Sequence, residues 1–378
     1  MAHMRIGLDA RLTYYTHGGI ARYIRHLTNA LQAVDAENQY IILHSRKQRE
    51  TLVNQPNFRR VNCWTPCHHR LERWTLALEV SPLRLDVLHS PDFIPPAWGA
   101  ARARVITVHD LNFLRQPEHL TAQSRRYYNG QIHWAVRQAD QIIAVSQATC
   151  ADLVNYTGAQ PEKIHVIPEA ADPAFRPLPP HEVTSGLARY GLTPGYLLFV
   201  GVLEPRKNIP GLLRAYRRLI EDYGLDPPLV LAGKRGWLYE DIERVRQELG
   251  LTGHVHHLET VADEDLPLLY NGAALHVLPS FYEGFGLPAL EALACGTPTV
   301  VSNRGALPEV VGDAGLQVNP EDPEDLAAAL ARGLSDSQLR ADLRARGLTR
   351  AAHFNWPATA RQTLAVYALS VQSVPRTR

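Results

Sequence analysis

The chain has 378 residues, with 39 Lys plus Arg against 38 Asp plus Glu. That length is enough for two domains, each with a full core, and the near-neutral balance excludes the broad basic field a nucleic-acid partner requires. No apolar run approaches the roughly 18 residues of a membrane-spanning helix, and Cys63, Cys67, Cys150 and Cys295 form no disulfide framework of the secreted kind. No signal peptide opens the chain, and Met1-Ala-His-Met4 reads as a cloning remnant ahead of a native start at Met4. The expectation is a soluble cytoplasmic α/β protein.

Arg5-Ile-Gly-Leu-Asp-Ala10 predicts a short strand, and Gly18-Gly19 ends the loop after it. Ile20, Ile24, Leu27 and Leu31 then fall on one helical face. Strand, Gly loop and helix are the usual start of a doubly wound domain; on the residues alone, the glycine pair reads as a tight turn. Tyr40-Ile-Ile-Leu43 is the next strand, and residues 46–60 are polar and read as loop. Cys63, Cys67, His68 and His69 lie close together, but their spacing fits no common zinc motif and no second pair completes four ligands, so no metal is expected. Asp86-Val-Leu-His-Ser90 and Val105-Ile-Thr-Val-His109 predict two buried strands. His109-Asp110 ends the second, at the edge where open α/β sheets take ligands. Thr121 to Ala139 predicts a helix carrying Arg125, Arg126, Tyr127, Tyr128, Trp134 and Arg137. It reads as a solvated helix with buried aromatics, in preference to a membrane-surface patch for a lipid-linked acceptor. Gln141-Ile-Ile-Ala-Val145 is a strand, Ser146 an N-cap for the helix beginning near Gln147, and Lys163-Ile-His-Val-Ile167 the last strand of this half.

Pro173, Pro177, Pro179, Pro180 and Pro194 punctuate a stretch without strong apolar period, the composition of a linker. A second strand–helix series starts at Tyr196-Leu-Leu-Phe-Val-Gly201. Gly201-Val-Leu-Glu-Pro-Arg-Lys-Asn208 follows, then a helix bearing Leu212, Leu213, Tyr216 and Leu219. Arg206 and Lys207 stand where fixed cations would stabilise a departing diphosphate. Leu229-Val-Leu-Ala-Gly233 is another strand. Asp263-Glu-Asp265 leads straight into Leu266, Leu268, Leu269 and Tyr270, so helix capping explains it better than a metal. Ala274-Leu-His-Val-Leu278 predicts a buried strand, Ser280–Gly286 a loop, and Leu287, Leu290, Leu293 and Ala294 a helix. Gly284 and Gly286 at the helix entrance admit close approach to the main chain, and the helix dipole favours an anion there. Glu283 in the loop and Glu291 in the helix flank that anion site with carboxylates. A phosphate alone gains nothing from two acids, whereas a ligand with both a diphosphate and sugar hydroxyls uses them as acceptors. Thr297–Ser302 and Gly315–Val318 predict strands, and helices near 323–333 and 336–350 follow. Phe354-Asn-Trp356 with Leu364, Val366, Tyr367 and Leu369 predicts a terminal helix.

The Glu283-x7-Glu291 pattern, with Ala294-Cys-Gly-Thr-Pro-Thr-Val-Val-Ser-Asn303, Leu307-Pro-Glu-Val-Val311 and Gly312-Asp-Ala-Gly-Leu316, resembles family 4 of the retaining GT-B glycosyltransferases. The resemblance covers essentially the whole chain, strongest from 196 to 318 and looser from 46 to 104. It implies an α/β GT-B fold of two doubly wound, Rossmann-like domains facing a cleft. These are an acceptor domain over 1–172, a linker over 173–195, a donor domain over 196–355, and a helix over 356–378 returning to the first domain. It implies a metal-independent hexosyltransferase with no bound cofactor, using a nucleotide-sugar donor and a sugar or lipid-linked acceptor. Cytoplasmic location follows, with weak contact at the inner membrane face as the further reading.

By the same resemblance, Gly19 lies near acceptor and donor phosphates, and His109 contacts the transferred sugar and favours positive charge developing on its ring. Lys207 and Arg206 hold the diphosphate, and Val261 lines the base. Glu283, Gly284, Phe285, Gly286 and Leu287 orient the hexose and pyrophosphate, and Glu291 holds the ribose. Many members carry Arg where this chain has Val202, and Arg206 is the residue that would take that charge. The forms Glu204-Pro-Arg-Lys-Asn208 and Tyr282-Glu-Gly-Phe-Gly-Leu-Pro288 look like those of mannosyltransferases in bacterial surface-polysaccharide assembly. GDP-mannose is therefore the preferred donor, with UDP- and dTDP-sugars open. Three other readings fit parts of the pattern: a glycoside hydrolase working through Glu283 and Glu291, a non-catalytic sugar-nucleotide binder, and an NAD(P)-dependent oxidoreductase. The last rests on Gly284-Phe-Gly-Leu-Pro-Ala289, yet Ser302-Asn303-Arg304 stands where its ribose-binding acid belongs.

Overall fold

The computed structural model describes residues 3–115 and 122–374, without the side chains of 122–127. Contacts divide the chain into two compact units, Met1–Glu169 with Asn355–Arg378, and Ala170–Phe354. Each is built on one all-parallel sheet whose apolar strands are buried on both faces, as crossover helices demand.

In the first unit the strands are β1 (Arg5–Asp9), β2 (Gln39–Ser45), β3 (Phe58–Cys63), β4 (Leu85–Ser90), β5 (Ala101–Val108), β6 (Gln141–Ala144) and β7 (Ile164–Val166). Their order is β3-β2-β1-β4-β5-β6-β7, so the winding reverses between β1 and β4. β3 falls partly in the stretch expected to be loop. Its inner ends Phe58 and Cys63 are buried, while Arg59 and Asn62 point to solvent, so as an edge strand it lacks a continuous apolar run. The helix Glu72–Val80, also unforeseen, follows it. The helix Gly19–Val34 buries Tyr23, Ile24, Leu27 and Leu31 and packs against the terminal helix Trp356–Ser373. Asn355 caps the terminal helix, accepting from the Ala358 amide at 2.9 Å, and Arg102 donates to the carbonyls of Val371 and Val374 at its far end. Ser146 caps its helix as expected, accepting from the Thr149 amide. Arg125, Arg126 and Tyr127, on the helix Ala122–Gln138, lie outside the described side chains, and Thr121 outside the described residues.

The second unit contains β8 (Tyr196–Val200), β9 (Leu229–Ala232), β10 (Val255–Leu258), β11 (Ala273–Leu278), β12 (Thr299–Ser302) and β13 (Gly315–Val318), ordered β10-β9-β8-β11-β12-β13. The doubly wound order repeats, with its reversal between β8 and β11. The stretch expected to be a linker is not one. It holds the helix Pro180–Leu187, whose Val183 and Leu187 join the core with Tyr196, Leu198 and Leu269. Pro180 sits at its first helical position, where a missing N–H costs nothing, and Pro179 precedes it as the N-cap residue. Asp265 does not cap the helix Leu266–Gly272; its carboxylate is drawn instead to Arg189 at 2.8 Å and the Tyr190 hydroxyl at 2.6 Å. Among the described residues no helix is long and apolar enough to cross a membrane.

Candidate active site

The reversal between β8 and β11 places two loops side by side beyond the carboxyl ends of those strands. Backbone and side chain then join them. The Phe281 amide donates to the Arg206 carbonyl at 2.9 Å, and Arg206 Nη1 donates to the Tyr282 carbonyl at 3.0 Å. Asn208, at a left-handed φ of 55°, starts the helix Ile209–Tyr223 and accepts from the Gly211 amide at 3.2 Å. Its Nδ2 donates to the Pro320 carbonyl at 2.6 Å. The turn this enforces faces Lys207 inward.

Glu283 is where the charges meet. Its Oε1 accepts from Lys207 Nζ at 2.6 Å and Ser280 Oγ at 2.7 Å, and its Oε2 from Arg206 Nη1 at 2.7 Å. Arg206 also reaches Glu204 through Nη2 at 2.8 Å. Burial alone would raise the Glu283 carboxyl, but Arg206 and Lys207 outweigh it and hold the pKa down at about 2. Burial, with Arg206 alongside, lowers the Lys207 ammonium, and Glu283 offsets part of that. Glycine at 305 is required by this arrangement: at φ 59°, a Cβ there would lie 2.6 Å from the Glu283 carbonyl oxygen. The Ala306 amide donates to that same oxygen at 2.9 Å.

Gly286, at φ 98°, opens the helix Leu287–Cys295, and a Cβ on it would meet Leu307 at 2.5 Å. Pro288 has no N–H and Ala289 donates to the Gly286 carbonyl. The donors left to this helix end are the amides of Phe285, Gly286 and Leu287, which meet no protein acceptor among the described residues. Glu291, 2 % exposed, accepts from the Tyr270 hydroxyl at 2.8 Å. Arg206, Lys207, Glu283 and the Gly284–Leu287 entrance are therefore brought together, with Glu291 in the same helix. Val261 stands beyond β10, two strands from β8. Val202 is exposed, and Arg206 supplies a guanidinium to the cluster.

In the first unit, His109 lies just past β5. Its Nδ1 is 2.7 Å from Glu169 Oε1 and its Nε2 is 3.0 Å from the Pro91 carbonyl. The Pro91 carbonyl can only accept, so Nε2 carries a proton, and the Glu169 carboxyl at Nδ1 favours the protonated ring. Burial opposes that charge, but Glu169 outweighs burial and raises the pKa. Gly19 opens its helix without needing glycine: neither it nor Gly18 has positive φ, and a Cβ at 19 meets nothing within 4 Å. Sequence reasoning missed Glu169, 60 residues from its partner, and Gly305. Glu204 and Ser280 sit inside the motifs already singled out, which was the available signal.

The model of the glycosyl transferases group 1 family matches residues 190–350, and that of glycosyltransferase family 4 matches residues 17–175. The O-antigen chain mannosyltransferase B of Escherichia coli is 37 % identical, over 80 % of this chain and 78 % of that protein. The chain belongs to the group 1 glycosyltransferases. The serotype-specific mannosyltransferase WbdA of Escherichia coli is 32 % identical over 75 % of this chain, which spans only 35 % of that protein. Sucrose-phosphate synthase from Thermosynechococcus elongatus superposes with a TM-score of 0.78 at 23 % identity, covering 97 % of this chain and 99 % of that one. WaaG, a glycosyltransferase involved in lipopolysaccharide biosynthesis, gives 0.74 at 16 %, covering 96 % and 99 %. The fold class of this group 1 glycosyltransferase is GT-B, and the oxidoreductase and hydrolase readings fall with the family.

Proposed function

We propose that the chain is a retaining mannosyltransferase, moving mannose from GDP-mannose to a hydroxyl of a sugar or lipid-linked acceptor in bacterial surface-polysaccharide synthesis, without a metal ion. The donor and pathway are supported by the mannosyltransferase relatives at 37 % and 32 % identity. The observation that carries the chemistry is the pair of fixed cations, Arg206 and Lys207, next to the unmatched amides of Phe285, Gly286 and Leu287. As it stands, the cluster of Arg206, Lys207, Glu204 and Glu283 is neutral. A diphosphate brings the anion that draws Arg206 from Glu204 and takes the remaining Lys207 protons as donors.

As the glycosidic bond lengthens, negative charge grows on the leaving phosphate, and cations already oriented by Glu283 stabilise it without reorganisation. Glu283 thus acts chiefly as the support of Arg206 and Lys207, with its backbone fixed by Gly305 and Ala306. Glu291 accepts from the ribose. The acceptor hydroxyl attacks on the face the diphosphate leaves, and the leaving phosphate takes its proton, so no protein base is needed. His109, whose protonated form Glu169 favours, positions its own main chain through Glu169 and Pro91.

The test is transfer by purified protein from GDP-mannose, UDP-glucose and a dTDP-sugar to an α-mannoside acceptor, in chelator, with NMR of the product. Transfer from GDP-mannose with the donor's anomeric configuration kept is expected. Transfer only from another nucleotide, inversion, or a need for added metal would each overturn the corresponding part.

A further inference from the structure

The Arg206 guanidinium donates along two edges, and a carboxylate takes each. Nη1 reaches Glu283 Oε2 at 2.7 Å and the Tyr282 carbonyl at 3.0 Å. Nε and Nη2, the fork with which arginine grips a phosphate or a carboxylate, both donate to Glu204 Oε1, at 3.2 and 2.8 Å. The two acids are held very differently. Glu283 is bound through both oxygens by Arg206, Lys207 and Ser280, and its side chain is 7 % exposed. Glu204 is bound through one oxygen, its side chain is 25 % exposed, and among the described residues that side chain bonds to Arg206 alone.

Only the main chain of Glu204 is fixed. Its amide donates to the Val202 carbonyl and its carbonyl accepts from the Lys207 amide, both at 3.0 Å. The loop after β9 packs against it: a Cβ on Gly236 would lie 2.7 Å from the Leu203 carbonyl oxygen and 3.1 Å from the Glu204 Cβ. A turn of the Glu204 side chain therefore uncovers the Nε–Nη2 fork without moving the turn Pro205–Lys207.

The charges give that movement a use. Arg206 and Lys207 face Glu204 and Glu283, so the cluster is neutral before an anion arrives. In a sugar nucleotide the sugar-bearing phosphate carries roughly one negative charge, whereas a freed terminal phosphate carries about −1.5 to −2 at neutral pH. Cations fixed to stabilise the leaving group therefore hold the product more firmly than the donor, which slows release. A carboxylate tethered two residues from Arg206 competes for the same fork at high effective concentration.

We infer that Glu204 is a resident anion of this site. It orients Arg206 before the donor binds, yields the Nε–Nη2 fork to the donor phosphate, and returns to that fork to expel the nucleoside diphosphate. The inference rests on Arg206 and Lys207 holding the diphosphate, as proposed above, and not on the identity of the base or the sugar.

The experiment is calorimetric titration of wild type and Glu204→Gln with GDP, UDP and inorganic pyrophosphate, in chelator. The substitution keeps the shape and an acceptor oxygen and removes the charge. Affinity for pyrophosphate, and for whichever nucleoside diphosphate the wild type binds, should rise roughly tenfold in the variant, the size of one charge-assisted hydrogen bond no longer given up on binding. In the steady state, KM for the donor and the inhibition constant of the product should fall, and kcat should fall with them. Removing a structural support does the reverse and weakens binding. Unchanged or weaker binding in Glu204→Gln overturns the inference, as does a variant that melts well below the wild type, which would make Glu204 a prop of the fold. A wild type that binds UDP and pyrophosphate but not GDP overturns the donor alone, and the UDP ratio then decides for Glu204. A wild type that binds none of the three overturns both.

Discussion

Glu283→Gln keeps the shape of the side chain and removes its charge, leaving Lys207 and Arg206 facing each other across a buried site. Losing one partner of a buried ion pair costs about 3–5 kcal/mol. The fall of the Glu283 pKa from 4.5 to about 2 gives an independent figure, about 3 kcal/mol of folded-state stabilisation at neutral pH. The two agree. In a unit of this size that is a drop of roughly 6–12 °C in melting temperature. The pH dependence follows from a depressed folded-state pKa: the contribution is complete above 4.5 and is lost as pH falls toward about 2. The gap between wild type and variant, measured by urea unfolding, should therefore be widest near neutrality and close on acidification across that window. In the variant, Lys207 is driven further toward its neutral form, so raising the pH should recover part of the loss. GDP should stabilise the variant more than the wild type, because its phosphates replace the missing negative charge. A variant within about 1 kcal/mol of wild type at pH 7, below the range for a broken buried pair, would refute the reasoning, as would a gap that does not close in acid.

Lys207→Ala should lower kcat/KM by about 10²–10³, through both KM and kcat, the size of one preorganised electrostatic partner; steady-state kinetics with the cognate donor checks this. Glu169→Gln should bring the His109 pKa down. Because that pKa is raised above 6.5 in the folded chain, its stabilisation is present below 6.5 and lost as pH rises through the folded value; the variant's melting temperature should lose that slope. Gly305→Ala should destabilise the second unit by about 1–3 kcal/mol through its positive φ, with donor affinity falling as Glu283 shifts, both readable by calorimetry. Tyr367→Phe, which deletes the bond to the buried His89, should cost about 1–2 kcal/mol in unfolding experiments and leave KM unchanged.

What the sequence disclosed was local. Ala274–Leu278, the glycines at 284 and 286 and the apolar period after Leu287 lie within one strand–loop–helix segment, and the folded chain reproduces that order. Charges in one short motif, such as Arg206 and Lys207, were also visible. β3 was hidden because an edge strand needs only one buried side, and Phe-Arg-Arg-Val-Asn-Cys carries no apolar run. The helix Pro180–Leu187 was hidden by prolines that read as breakers although they begin it. Asp265 looked like a cap until Arg189 and Tyr190, distant in sequence, offered better partners. Glu169 and His109 could not be paired from spacing at all, since only the packing of β5 against β6 and β7 brings them within reach. The upward shift of the His109 pKa depends chiefly on that contact.

The most direct measurement is the melting-temperature response of wild type and Lys207→Ala to GDP, UDP, dTDP and NAD(P), in chelator. With GDP at a hundred times its dissociation constant the wild type should gain about 2.7 kcal/mol, and Lys207→Ala should gain little at the same concentration. A wild type indifferent to every nucleoside diphosphate, or a variant that responds as the wild type does, would contradict the claim that Arg206 and Lys207 hold the donor diphosphate.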